Sequence, residues 1–244
     1  MPRRAPSAAA PPPPSDFREL IASAEFAVTH SRRGDRGQPL GPRAEASRRR
    51  LIAAARELFY ERGYARTTAS DVAAAAGCSL ASFYSYFADL NDVLRALVID
   101  FLEESSRRDI GRWSVTEGRR GLRAMISAFV AHYFEHREFM LVWETARLID
   151  PAIGELARRY TAVYKRRSAI AFETGIEAGL IRADHRAEDM ADALTAMIER
   201  YCFHHIVLLR DELATVIESA TLLTDLWADS IDLVEPGAAR PGTP

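Results

Sequence analysis

The segment at 67–87, TTASDVAAAAGCSLASFYSYF, constrains this chain more than any other stretch. Val72, Ala73 and Ala76 recur at helical spacing behind the Thr67–Thr68 pair, which is suited to capping a helix start, and Gly77 then ends the run. Ser79 opens a second helix whose apolar anchors are Phe83 and Phe87. Two short helices joined by a glycine corner, the second backed by aromatic rings, form the layout of a helix-turn-helix. Ser79, Ser82, Tyr84 and Tyr86 are left to face outward.

The flanking sequence is helical throughout. A helix is predicted from about 44 to 62, with Leu51, Ile52, Ala55, Leu58 and Phe59 on one face and Gly63 at its end. Asp89 opens a fourth helix that runs past Phe101. Beyond a break at 111–121, five more helices are predicted at about 120–136, 138–149, 151–179, 187–209 and 212–233, with Pro151 at a first-turn position. No strand alternation appears. The expected fold class is all-α: an N-terminal three-helix helix-turn-helix domain followed by a C-terminal helical bundle. The expected organisation is a basic extension, disordered or weakly helical, at 1–43, a helix-turn-helix unit at 44–104, a larger helical lobe at 105–234 and a flexible tail at 235–244. Within the extension, 1–15 is Pro/Ala-rich, 16–30 has weak helical spacing, and 31–43 is a Gly/Pro/Arg linker.

Charge is distributed unevenly. The chain carries −2 overall, yet residues 1–50 hold ten arginines against five acids, leaving −7 on the rest. A basic leading part before an acidic body suits an N-terminal contact with DNA. Cys78 and Cys202 fit no metal-ligand spacing and read as small buried hydrophobes of a reducing compartment. No apolar run approaches the ~20 residues needed to span a bilayer, and the proline run at 11–14 interrupts any signal-like stretch. A cytoplasmic protein with no membrane partner is expected. His132 and His136 lie i,i+4 and His204 and His205 are adjacent, without a third ligand in view, so no metal site and no cofactor is expected. Nothing matches G-x-S-x-G or H-E-x-x-H, and no catalytic residue or enzyme activity is expected.

The run from Ala55 to Tyr64 (A-x-x-L-F-x-x-x-G-Y), the Thr-Thr pair and G-x-S-x-x-x-F-Y-x-Y-F together resemble the N-terminal domain of TetR-family regulators over about sixty residues. The resemblance implies a transcription regulator, with repression the default, that binds a (pseudo)palindromic operator in double-stranded DNA as a homodimer. Thr67 and Thr68 would lie at the phosphate backbone, Ser79, Leu80, Ala81 and Ser82 at the groove-entering end, and Tyr84 and Tyr86 on backbone or bases. This sequence departs from the family in two ways. Leu90 stands where F-x-x-K usually supplies a lysine, and 79–88 contains no Arg, Lys, Asn or Gln for bidentate base contacts. Arg48, Arg49 and Arg50 are the candidates to supply the missing electrostatic attraction.

The resemblance further implies that the C-terminal lobe binds a small molecule and dimerises through its last two helices, roughly 187–233. The lobe is similar to that of the mycobacterial repressor of a thioamide-activating monooxygenase. Thr195 and Ile198 replace asparagines that hold ligand there, so that relative's ligand does not carry over. Among the dense aromatics of the lobe, Phe129, Tyr133, Trp143, Phe172, Met197 and Tyr201 are the candidates to line a cavity for an apolar or amphipathic effector. The alternatives are a DNA-binding regulator with no small-molecule effector and, in another class, a helical carrier or enzyme for a hydrophobic substrate.

Overall fold

The computed structural model describes residues 40–108, 110–182 and 184–237, without the side chains of Ser106 and Leu213. The readings made for 1–39 and for 238–244 lie outside the described residues. Within them there is no strand. Helix α1 spans Pro42–Arg62, with proline in its first turn and Gly63, at φ +83°, just past its end. Its buried face includes Leu51, Ile52, Ala55 and Phe59.

A 3₁₀ turn at Tyr64–Arg66 leads into α2 (Ala69–Ala75). Thr68 and Asp71 close a reciprocal capping box on α2: the Asp71 N–H donates to the Thr68 hydroxyl (3.2 Å), and the Thr68 N–H donates to the Asp71 carboxylate (2.9 Å). Thr68→Ala removes one of these partners, and its expected cost is about 1 kcal/mol of global stability. A shifted urea midpoint at unchanged slope would report it. The end of α2 is closed by Gly77 at φ +66°, where the Cys78 N–H reaches the Ala73 carbonyl and the Gly77 N–H reaches Ala74. This is a glycine stop of the Schellman type, and the left-handed conformation there favours glycine.

Helix α3 (Leu80–Tyr84) follows under a Ser79 cap, and its root is buried through Phe83 and Phe87, whose rings lie 5.7 Å apart. Helix α4 (Leu90–Arg108) starts with Asp89 accepting the Asp92 N–H at 2.9 Å. Val93, Leu94, Leu97 and Val98 on its first half are buried, and α4 packs directly against α1.

The lobe consists of α5 (Gly118–Glu135), α6 (Arg137–Ile149), α7 (Pro151–Glu177), α8 (Ala187–Cys202) and α9 (Leu213–Ser230). Each of these five overlaps its predicted span. One difference is local: the predicted helix at 187–209 is α-helical only to Cys202 and then widens into a π-helical turn at Phe203–Leu208. The turn stops at Arg210, which has φ +61° and grips Glu138 of α6 with two bonds of 2.6 and 2.8 Å. Periodicity does not distinguish an α from a π turn over six residues.

Two ties set the lobe's frame. Arg119 of α5 binds Asp225 (2.8 Å) and Asp229 (2.7 Å) of α9. Asp150 caps α7 by accepting the Ala152 N–H (2.8 Å), and its other oxygen takes Arg95 of α4 (2.7 Å). Trp113, Phe172 and Trp227 pack edge to face and close the far end of the core. Glu235, which the sequence places in a flexible tail, accepts the Arg119 N–H (3.2 Å), at a bond-forming position that composition does not disclose.

Candidate DNA-reading face and lobe cavity

The capping of α2 and α3 fixes which side chains can leave the protein. Leu80 and Tyr84 are exposed, as are Ser79 and Ala81. Ser82 and Tyr86 are half-buried along a groove between α1 and α3 that also includes Ser47, Arg50 and Ser85. Seven of the residues singled out in the sequence, Arg50 among them, are therefore gathered around α3. The Ser79 hydroxyl accepts the Ser82 N–H at 3.1 Å and lies 3.0 Å from the Ser82 hydroxyl.

The other candidates are placed differently. Thr67 is buried, and its hydroxyl donates to the Gly63 carbonyl (3.0 Å). The Thr68 hydroxyl donates to Asp71 (2.7 Å), a carboxyl held below its usual range chiefly by the two bonds from Thr68. The three consecutive arginines of α1 point three ways, as a turn of 3.6 residues requires. Arg48 is buried, with its guanidinium 5.6 Å from the Phe87 ring centroid. Arg49 borders a cleft with Glu104 and His136 near the lobe. Arg50 alone of the three borders the groove beside α3.

In the lobe, the second half of α4 and the inner faces of α5–α8 enclose a narrow cavity. Phe129, Tyr133 and Trp143 line it, while Phe172, Met197 and Tyr201 do not. Phe172 is buried between Trp113 and Trp227. Tyr201 stacks on His205 (4.2 Å) and bonds Ser219 of α9 (3.1 Å). Met197 is partly buried against the core.

The remaining wall was not singled out in the sequence as ligand-binding: Phe101, His132, Met140, Tyr160, Thr161, Tyr164, Thr195 and Glu199. Its signals were spacing, since Tyr160 and Tyr164, and likewise Thr195 and Glu199, recur at i,i+4 on one helix face, and the place of Thr195 at a position that holds ligand in the similar lobe. The cavity is tight, with a volume of only about 20 Å³.

Burial governs the ionisable groups of this wall. The Tyr160 and Tyr164 hydroxyls bond each other at 2.9 Å; burial pushes Tyr160 up to about 12 and Tyr164 well above the phenol range. Burial raises Glu199, with Arg147 opposing and Glu144 adding. His132 is pushed down to about 3, first by burial and then by the neighbouring His136 and Arg108. Its ring stays neutral at physiological pH. Nearby, Glu104, Glu135 and His136 bring ligand-type atoms within 4.8 Å of one another. Arg108, however, bonds both carboxylates at 2.5–3.0 Å and already supplies the positive charge there.

Known proteins place this architecture. Residues 51–97 match the profile of the bacterial regulatory proteins of the tetR family. The chain is 28% identical over 189 residues to the HTH-type transcriptional activator FasR of Mycolicibacterium smegmatis, covering 71% of this chain and 81% of FasR. Its fold is similar to a tetR-family bacterial regulatory protein from Rhodococcus RHA1 (TM-score 0.61, 17% identity, 78% of this chain and 98% of that one). It is also similar to SmeT in its complex with triclosan (TM-score 0.58, 22% identity, 81% and 96%). Among the described residues no helix is long and apolar enough to cross a membrane. With its helix-turn-helix, its all-helical lobe and these relatives, the chain belongs to the TetR family of transcriptional regulators.

Proposed function

We propose that this regulator binds a palindromic operator as a homodimer and that an apolar or amphipathic molecule in the lobe cavity controls the binding. The observation that carries this reading is the shared helix α4. Its first half packs against α1, the helix on which α2 of the helix-turn-helix also rests, while Phe101 on its second half forms part of the cavity wall. Arg95 ties the same helix to Asp150 at the start of α7, whose Tyr160, Thr161 and Tyr164 also face the cavity. A ligand that favours one position of α7 over another therefore biases α4, and the shift is limited to its differential affinity for the two states. The triclosan complex of SmeT is a precedent for a small molecule bound by this fold.

The proposed DNA-binding unit is 44–104 and the proposed ligand and dimer lobe is 105–234. Leu222 and Leu226 of α9 and Leu208 beyond α8 are large apolar residues left exposed on the single chain. Ala193 and Ala196 of α8 are exposed as well. These residues support pairing through 187–233, which would set two α3 helices about one DNA turn apart (~34–36 Å). Release by ligand suits a repressor, whereas the relative FasR is an activator. Both follow from the same binding switch, depending on whether the operator overlaps or precedes the promoter. On the DNA, Ser79, Ser82, Tyr84 and Tyr86 offer hydroxyls, Leu80 and Ala81 offer methyl contacts, and Arg50 supplies the charge beside them.

A gel shift on the DNA flanking the gene tests the reading. Specific retardation at moderate salt is expected; its absence on every flanking fragment would sink the operator assignment. Tyr84→Phe should weaken binding a few-fold through one lost phosphate bond. Arg50→Ala should weaken all sequences about equally and lower the salt slope by about 1. An unchanged slope would remove Arg50 from the interface.

A further inference from the structure

Two residues of the cavity wall carry a buried polar atom with no hydrogen-bond partner among the described residues: His132 at Nδ1 and Thr195 at Oγ1. Both residues are more than nine-tenths buried, at 3% and 8% exposure. Such groups each cost stability unless something satisfies them. The chemistry of His132 Nδ1 can be deduced from its neighbours. The Ser105 hydroxyl donates its one proton to the Phe101 carbonyl (2.9 Å). With that proton on the carbonyl, the 3.2 Å contact between Ser105 and His132 Nε2 assigns the imidazole proton to Nε2, an assignment made from the bonding pattern and not from a seen hydrogen. Neutral His132 consequently presents a lone pair at Nδ1, which only a donor can satisfy. Thr195 Oγ1 offers both a proton and lone pairs.

The charge of the wall narrows the class further. Among the described residues no lysine or arginine lines the cavity, and its one acidic residue is Glu199. Burial raises the Glu199 carboxyl and lowers the His132 imidazole, so the site disfavours charge of either sign. An anion would also face a histidine lone pair and a carboxyl group.

We propose that the effector joins its apolar body to an uncharged hydrogen-bond-donating head, a hydroxyl or a carboxamide, that engages His132 Nδ1 and Thr195 Oγ1, and that the cavity rejects carboxylates. This rests on the cavity being the effector site. The aromatic wall takes the body, and Met140, an adaptable side chain, is placed to yield as it enters.

The test is a calorimetric titration of the full chain at neutral pH with decan-1-ol, decanamide, decanoate, decylammonium and methyl nonyl ether. The ether is an isomer of the alcohol that accepts but does not donate. The alcohol and the amide should bind about tenfold or more tightly than the ether, and decanoate and decylammonium more weakly than the alcohol. Thr195→Val should weaken the alcohol and the ether alike, by up to about five- to tenfold, because both oxygens can accept the threonine proton, while the alcohol's advantage over the ether, carried by His132 Nδ1, persists. Glu199→Gln should strengthen decanoate. Ether and alcohol binding equally, or either ion matching the alcohol, would overturn the head-group proposal while leaving the cavity as the effector site. Failure of every compound, the ether included, would remove the cavity from effector binding and the proposal with it.

Discussion

Replacing Leu222 and Leu226 together by aspartate is expected to yield a folded monomer whose operator affinity is lower by about a hundredfold or more. The two leucines are 49% and 44% exposed on the single chain, so a charge at either position still reaches water and costs the monomer little. Across a two-fold interface the same carboxylates would be buried against their own copies, at several kcal/mol. With pairing lost, each helix-turn-helix must find its half-site independently. The gain from linking two half-site contacts is then forfeited. Light scattering behind size-exclusion chromatography gives the mass, and fluorescence anisotropy on operator DNA gives the affinity. A variant that remained dimeric would place the interface elsewhere than α8–α9.

The second large effect is a loss of stability in mild acid. His132 titrates near 3 in the folded chain, against about 6.5 when unfolded. Between these values the unfolded chain binds more protons, so stability is full above about 6.5 and falls as the pH drops below it. From pH 6.5 to pH 5 the expected loss from this one ring is about 2 kcal/mol. His136, shifted the same way by burial, adds to the loss. The lowered carboxyls Glu135 and Glu138 lose their contribution further down, as the pH falls toward and below about 4.5. Glu144 and Glu199, raised by burial, act in the opposite sense. Urea titrations at pH 6.5 and 5 of the parent and of His132→Gln separate the ring from these groups, since only its slope changes. Parallel pH slopes for the two proteins would mean that His132 does not stay neutral in the folded state.

The helix-turn-helix was legible because every signal in it is local. The Thr68 and Ser79 caps, the Gly77 corner and the Phe83 and Phe87 anchors each act within a few residues, and the structure keeps them all. The three arginines before Leu51 show where that legibility ends. Composition marks them as one basic patch, whereas helical rotation sends them to the core, to the cleft and to the groove beside α3. The cavity was half legible. Phe129, Tyr133 and Trp143 point into it, but Phe172 follows the same aromatic logic and is used as packing. Which ring faces a void depends on helix crossings between α4, α5, α7 and α8, and those are not encoded in any single window of sequence. Of the polar wall, Thr195 was marked through the resemblance alone, and His132 and Glu199 were not legible as lining for the same reason.

The tightness of the cavity has a temporal consequence. A space with about 20 Å³ open to water-sized groups does not admit a molecule of ten heavy atoms without side chains moving aside. On the proposed reading, effector binding must then wait on a minor open population, and the apparent affinity is the intrinsic one reduced by that fraction. The protein's own aromatic rings compete with its ligand for the same volume. The response of the switch is thereby paced by how often Tyr160, Met140 and their neighbours part, rather than by how fast the effector diffuses.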